Sequence, residues 1–316
     1  MGSDNKTRGT EFYLIAFSDF PHLQLPLFML FLLLYLTTMF GNVIIVTVIG
    51  LNHHLHVPMY FFLCNLASLD VCYTSVTTPN LLHIFITGNN RISFTGCFVQ
   101  LYFFLAFASA EYFLLTAMSY DRYVAICKPL HYPLVINRQS SVKMVCGSWL
   151  IGFVGALPLV IFISGLDFGS TNEVNHYFCD MIPLLKLSCS DTSFTEVIMF
   201  SEGVFLAMTC FMLTLTSYCF IISTILRIHT SEGRRKAFST CSSHLSIVIL
   251  FYVVIFCLYM KPPSTSSLNQ SKVMSVLFTQ VVPMLNPIIY SLRNKDVKEA
   301  IGKTKNKAFW CSTDNC

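Results

Sequence analysis

The stretch Met118-Ser119-Tyr120-Asp121-Arg122-Tyr123-Val124-Ala125-Ile126-Cys127-Lys128-Pro129 closes a long apolar segment with an acid–arginine pair and a basic, proline-containing turn. A guanidinium is costly in hydrocarbon. It must snorkel to an interface, hold a carboxylate or await a protein partner. Between Cys97 and Tyr120 the only Asp, Glu, Lys or Arg is Glu111. The segment ahead of the pair therefore reads as a membrane-crossing helix, with the pair marking its end.

The same pattern recurs in both directions along the chain. No Asp, Glu, Lys or Arg occurs between Asp19 and Asp70, Lys143 and Asp167, Lys236 and Lys261, or Lys272 and Arg293. Each gap holds the roughly 20 apolar residues that cross a bilayer. Charged residues make up 11% of the chain and hydrophobic ones 54%, far from the roughly 25% charged of a soluble domain. In the first gap, Asn52-His53-His54-Leu55-His56-Val57-Pro58 supplies a polar turn between two spans. Helices are expected near 25–50, 58–86, 97–122, 143–163, 196–226, 237–260 and 273–292, with Pro262-Pro263 stopping the sixth. The expected fold is an all-α membrane protein: an extracellular segment 1–24, a seven-helix domain 25–292 and a cytoplasmic tail 293–316.

Lys and Arg placement orients the bundle. With the N-terminus outside, six of the twenty basic side chains face outward and fourteen face the cytoplasm, as the positive-inside rule requires. The net charge of +4 thus reflects topology and not nucleic-acid binding. No short apolar region with a small-residue cleavage site opens the chain, so no removable signal peptide is expected, and the first span serves as the signal. Asn5-Lys6-Thr7 is a glycosylation sequon on the outer side. A second, Asn269-Gln270-Ser271, lies too close to the membrane for modification to be expected. Of the 13 cysteines, Cys97, Cys179 and Cys189 lie on the oxidising side. Cys311 and Cys316 fall in the tail, where palmitoylation is weakly indicated.

Asp70 lies near the middle of the second span, and Glu111 lies about three turns above Arg122. Both are at a depth where an ionised carboxylate is costly. Two readings stand: each acid neutral and hydrogen-bonded, or the two sharing a Na+ ion or proton with Asn42 and Asn286. Pro283 and Pro287 interrupt the hydrogen-bond ladder of the seventh span around Asn286, giving a static kink or a hinge that swings Tyr290. His244 is the lone histidine of an apolar sixth span.

Several motifs accumulate in order along almost the whole chain. They are Gly41-Asn42; Leu55-His56-Val57-Pro58-Met59-Tyr60-Phe61-Phe62-Leu63; Asp121-Arg122-Tyr123 through Lys128-Pro129-Leu130-His131-Tyr132; Ser217-Tyr218; Lys236-Ala237-Phe238-Ser239-Thr240-Cys241-Ser242-Ser243-His244-Leu245; and Pro283-Met284-Leu285-Asn286-Pro287-Ile288-Ile289-Tyr290. With them the chain resembles the olfactory receptors of the rhodopsin-like G-protein-coupled class.

The resemblance implies a receptor for a small volatile odorant, not an enzyme, in the plasma membrane of sensory cilia. Its partner would be a heterotrimeric stimulatory G protein of the olfactory type, raising cAMP. It implies a switch of Asp121, Arg122, Tyr123, Tyr218, His244, Asn286, Pro287 and Tyr290, with Tyr218 and Arg122 meeting Tyr290 in the active state. Asn42, Asp70, Glu111 and Asn286 would form an inner polar site. Leu101, Phe104, Leu105, Ala108 and Tyr112 share one face of the third span. By similarity they line the ligand pocket with Glu202, Leu206, Tyr252, Ile255, Phe256, Tyr259, Val276 and Thr279. Glu202 is unusual there: it faces the pocket, or it is an interfacial acid paired with water or Lys186.

The resemblance also implies a Cys97–Cys179 disulfide pinning the outer loop 167–193. The family's second bridge is in doubt, because Gly169 stands where its members carry a cysteine and so leaves Cys189 without that partner. The tail from Arg293 to Ile301 reads as an amphipathic helix on anionic lipid. No internal repeat of the transporter kind is found. No His-Glu-x-x-His or Gly-x-Ser-x-Gly motif marks a hydrolase, and no cofactor is expected.

Overall fold

The computed structural model describes residues 11–17, 21–169, 172–259, 268–294 and 296–303. Its bundle comprises α1 (Gln24–Leu51), α2 (Pro58–Thr87), α3 (Phe94–Cys127), α4 (Arg138–Ser164), α5 (Ser193–Leu226) and α6 (Ser231–Tyr259), followed by a composite α7. α7 runs through Leu268–Val276, a π-helical turn Leu277–Val281 and Val282–Arg293. Six helices are long and apolar enough to span a bilayer, and α6 supplies a shorter apolar stretch, Cys241–Cys257. Together they form the expected seven-helix bundle. Residues 296–303 form α8, with Val297 and Ala300 buried and Asp296, Lys298 and Glu299 exposed.

The helix ends follow local chemistry. Pro58 opens α2, where the missing N–H would be unpaired anyway. The His56 ring nitrogen Nε2 reaches the carbonyls of Ile49 (3.1 Å) and Gly50 (3.3 Å) at the end of α1. Gly88 ends α2 at φ +68°, the left-handed conformation that a Cβ disfavours. The Ser93 hydroxyl caps α3 by accepting from Gly96 N, and the Asn137 side chain caps α4 by accepting from Ser140 N. α4 therefore starts at Arg138, five residues before its expected start at Lys143. α3 continues past Asp121-Arg122 to Cys127, because the two charges satisfy each other inside the helix. α6 begins at Ser231, in the cytosol, where Arg234 and Arg235 extend the helix at no desolvation cost.

α3 is central, packing against α2, α4, α5 and α6. Gly152 makes the α3–α4 contact possible: a Cβ there would lie 2.5 Å from the Ala106 carbonyl and 2.8 Å from Ala110 N. Gly41 does the same for α1 and α7, where a Cβ would lie 2.9 Å from Pro287 Cγ.

The outer face holds structure that period-based reading missed. β1 (Glu11–Leu14) pairs antiparallel with β2 (Arg91–Ser93) and parallel with β3 (Glu173–Val174), in the order β2-β1-β3. Strands this short carry too little alternation to be read from sequence. The outer loop also contains a short helix, Met181–Leu187, capped by Asp180. Asn5, Pro262-Pro263, Cys311, Cys316 and the side chain of Asn269 lie outside the described residues.

Candidate functional site

At the cytoplasmic end, Asp121 and Arg122 are both buried. Asp121 Oδ2 accepts from Arg122 Nε at 2.9 Å and from Arg122 Nη2, while Tyr132 Oη donates to Oδ1 at 2.8 Å. Tyr132 lies in the loop after α3, and burial followed by the adjacent Asp121 charge pushes its phenol above the ordinary range. The sequence reading quoted Tyr132 within a motif but gave it no role; it packs under α3 because the Pro129–His131 turn folds the chain back. The Tyr123 ring meets Phe220 at a tilt and lies beneath the Lys128 ammonium.

Tyr218 Oη and His244 Nδ1 share a hydrogen bond at 2.5 Å across α5 and α6. Tyr290 Oη and His244 Nε2 have no hydrogen-bond partner among the described residues. Both residues line a narrow cleft with Met59, Met118, Arg122, Ser243 and Asn294. In this structure the partner of Tyr218 is thus His244, and not Tyr290.

At mid-membrane, Asn286 Nδ2 donates to both Asp70 oxygens, at 3.1 and 2.9 Å. Glu111 is buried within electrostatic reach of Asp70, and its Oε1 has no hydrogen-bond partner among the described residues. Asn42 departs from expectation. Its Nδ2 donates to the carbonyls of Thr38 (3.0 Å) and Pro283 (3.2 Å), and not to Asp70. The reason is local: Pro287 has no N–H to pair with the carbonyl four residues earlier, and Asn42 fills that role. Pro283 likewise removes a donor in the preceding turn, and the π-helical turn Leu277–Val281 lies there.

Of the outer candidates, Leu101, Phe104, Leu105, Tyr112, Tyr252, Ile255 and Thr279 are buried. Ala108, Glu202, Leu206, Phe256 and Val276 are half-buried. The side chain of Tyr259 lies outside the described residues. Rings connect these positions. Phe104 meets Phe178 of the outer loop at 4.7 Å, Tyr112 meets Phe251 at 4.9 Å, and Phe211 meets Tyr252 at 5.1 Å and Phe256 at 5.3 Å. Phe178, Phe211 and Phe251 were missed, since nothing in their local sequence separates them from ordinary packing aromatics.

The outer loop lies directly on this region. A disulfide joins Cys97 to Cys179, and Gln100 Oε1 accepts from Cys179 N at 2.9 Å. Tyr177 Oη and Thr279 Oγ1 are 2.8 Å apart, so this predicted pocket residue is engaged by the lid. His176 Nε2 lies 3.3 Å from Ser275 Oγ. Burial holds its imidazole down to about 3, against an opposing backbone bond at Phe178, with the Lys272 charge as a smaller aid to burial. Burial raises Asp180 to about 6. Lys272, at the head of α7, donates to the carbonyls of Ile15 (3.4 Å) and Ala16 (3.0 Å), locking the N-terminal segment to the bundle. Cys189 is an exposed free thiol. A Cβ on Gly169 would lie 2.9 Å from its sulfur.

Seven membrane-crossing helices, a buried acid–arginine pair at the cytoplasmic end and a disulfide-tethered lid at the outer end define a seven-helix membrane receptor. A sequence model described as "Olfactory receptor" matches residues 31–307. The chain is 48% identical to mouse olfactory receptor 8A1 over 310 residues, covering 98% of this chain and 100% of that protein. It is 46% identical to human olfactory receptor 8G1 over 303 residues, 96% of this chain and 97% of that one. Identity to mouse olfactory receptor 8B8 is 48% over 299 residues, 94% and 96% of the two chains. The chain belongs to the olfactory receptor family. It is a multi-pass plasma-membrane protein, a G-protein-coupled odorant receptor and not an enzyme.

Proposed function

We propose that this receptor binds small, mostly apolar volatile ligands beneath the lid, in the outer half of the bundle. Binding drives a stimulatory G protein of the olfactory type and raises cAMP. The observation that carries this reading is the pairing of two arrangements: an aromatic, hydroxyl-bearing outer zone in contact with the lid, and a closed inner end where Asp121 holds Arg122. A ligand favouring a bundle with a different α5–α6 arrangement would break the Tyr218–His244 bond. That frees Tyr218 for Arg122 and Tyr290, and opens the cleft to the G protein.

The residues at mid-membrane would couple the two ends. Asp70 and Glu111 are two acids within electrostatic reach, and holding a Na+ ion or a proton between them lowers the cost of burying both. α8 rests on anionic inner-leaflet lipid through Lys298 and its basic neighbours. Sensory cilia are the proposed site of action, and Asn5 the proposed glycosylation site.

The test is a cAMP reporter screen of the surface-displayed receptor against a chemically broad odorant panel, with Arg122→Ala as the uncoupled control. A ligand response in the wild type that Arg122→Ala leaves intact would overturn the coupling assignment. Calcium or potassium signals without cAMP would overturn the choice of G protein.

A further inference from the structure

Among the described residues of the outer bundle, Glu202 is a carboxylate whose chemistry neither the packing nor the switch absorbs. Among the described residues, Asp70 is held by Asn286, Asp121 by Arg122, and Glu111 lies at mid-membrane within electrostatic reach of Asp70, in the inner polar site. Glu202 makes no described hydrogen bond or ion pair, and none joins it to Lys186, which is exposed at the end of the short helix Met181–Leu187. The other basic groups among the described residues of the outer side are committed. Arg91 pairs with Glu11 at 3.7 Å and lies over the Tyr13 ring, and Lys272 donates to Ile15 and Ala16.

The register of α5 decides where this carboxylate lies. Thr195 and Cys210 are buried on the helix face turned to the bundle. Glu202 follows Thr195 by seven residues, about two turns, and so lies on the same face. Leu206, half-buried, continues that face toward Cys210. Cys210 in turn lies within electrostatic reach of Tyr112 and Tyr252. Glu202 sits about 13 Å below the start of a helix about 51 Å long, inside the outer edge of a hydrocarbon layer about 30 Å thick.

We propose that Glu202 recognises the protonated nitrogen of an amphiphilic amine, whose apolar body lies along Leu206 toward Cys210 and Tyr112. This deepens the odorant-receptor reading and rests on it. An ionised carboxylate is an acceptor only, and an ammonium donor is the partner that returns most of its desolvation cost. The span from Glu202 to Cys210 is about 12 Å, which limits the apolar body to a chain or ring of that length. An organic acid is excluded from the same place by like-charge repulsion.

The test uses the purified full-length receptor in lipid nanodiscs, with thermal stabilisation read against concentrations of hexylamine, hexan-1-ol and hexanoic acid. Hexylamine is expected to stabilise the wild type at the lowest concentration and hexanoic acid not at all. Glu202→Gln keeps shape and removes charge, and should weaken the amine roughly tenfold to a hundredfold while leaving the alcohol where it was. Glu202→Asp should keep the preference for the amine. Equal stabilisation by amine and alcohol in the wild type, or an unchanged amine response in Glu202→Gln, would overturn the proposal. A parallel cAMP assay separates the two readings. Amine binding that depends on Glu202 but raises no cAMP supports the ligand class and counts against the signalling assignment.

Discussion

Asp121 carries three contacts on two oxygens, two from Arg122 and one from Tyr132. Removing a partner of a buried charge is costly because the remaining charge stays desolvated. Asp121→Asn should therefore weaken the hold on Arg122 and raise ligand-independent cAMP, while Tyr132→Phe, which leaves Arg122 in place, should raise it less. Equal basal signalling in wild type and both variants would remove the Asp121 cluster from the resting-state lock. A second residue-scale prediction concerns Gly169. The 2.9 Å separation between its Cβ direction and Cys189 Sγ matches the reach of a disulfide. Gly169→Cys should form a second bridge, visible as loss of the free Cys189 thiol by mass spectrometry, and stabilise the receptor by about 2–4 kcal/mol. Adding Cys189→Ser should abolish both effects. In the native chain Cys179→Ser should lose surface display and Cys189→Ser should retain it.

At the scale of elements, prolines and glycines act as geometric devices. Pro287 frees a carbonyl that Asn42 accepts responsibility for across the α1–α7 contact, which Gly41 makes close enough. Asn42→Ala should leave the Pro283 carbonyl unpaired and cost about 1–3 kcal/mol, read as a lower melting temperature of the purified receptor. On the other side of the bundle, a Cβ at position 152 would collide with backbone atoms of α3 and not with a movable side-chain tip. Gly152→Ala should cost about 1–3 kcal/mol by forcing α3 and α4 apart; a melting temperature no lower than wild type would show that α4 relaxes freely.

The whole molecule is closed at its outer end by three distant segments: the N-terminal strand β1, the turn bearing β2 and the loop bearing β3. This lid has a pH dependence. The His176 imidazole, held near 3 against an ordinary 6.5, contributes fully above pH 6.5 as the neutral ring. That contribution is lost as pH falls from 6.5 toward 3. Asp180, raised to about 6 from 3.8, acts oppositely: its contribution is full below pH 3.8 and is lost as pH rises through 6. Between pH 6 and 4 the two contributions nearly cancel, so wild-type melting temperature should be almost flat there and fall as pH drops below 3.8, where the histidine loss alone continues. His176→Gln retains a donor for Ser275 without titrating, so only Asp180 remains and melting temperature should rise as pH falls from 6 to 4. A slope unchanged by His176→Gln would place the titrating group elsewhere.

The sequence alone determined the number of spans and their orientation, and it located the residues to which the family resemblance gives the switch. Charge-free runs of about 20 residues are a local consequence of bilayer thickness. The Asp121–Arg122, Asn286–Pro287 and Tyr290 signals sit within single helices. The family resemblance also marked Gly169 as standing where members carry a cysteine. Only the tertiary structure decided the rest, and in each case the deciding contact joins residues remote in the chain. Asn42 was expected beside Asp70, yet it answers a carbonyl 241 positions away. Nothing local to Tyr218 told that it bonds His244 of α6 in this structure. The register of Glu202 was open until the burial of Thr195 and Cys210 showed which face of α5 turns inward. Periodicity records that a helix has a buried side; which neighbour meets that side is set by how the helices pack, and no single segment encodes it.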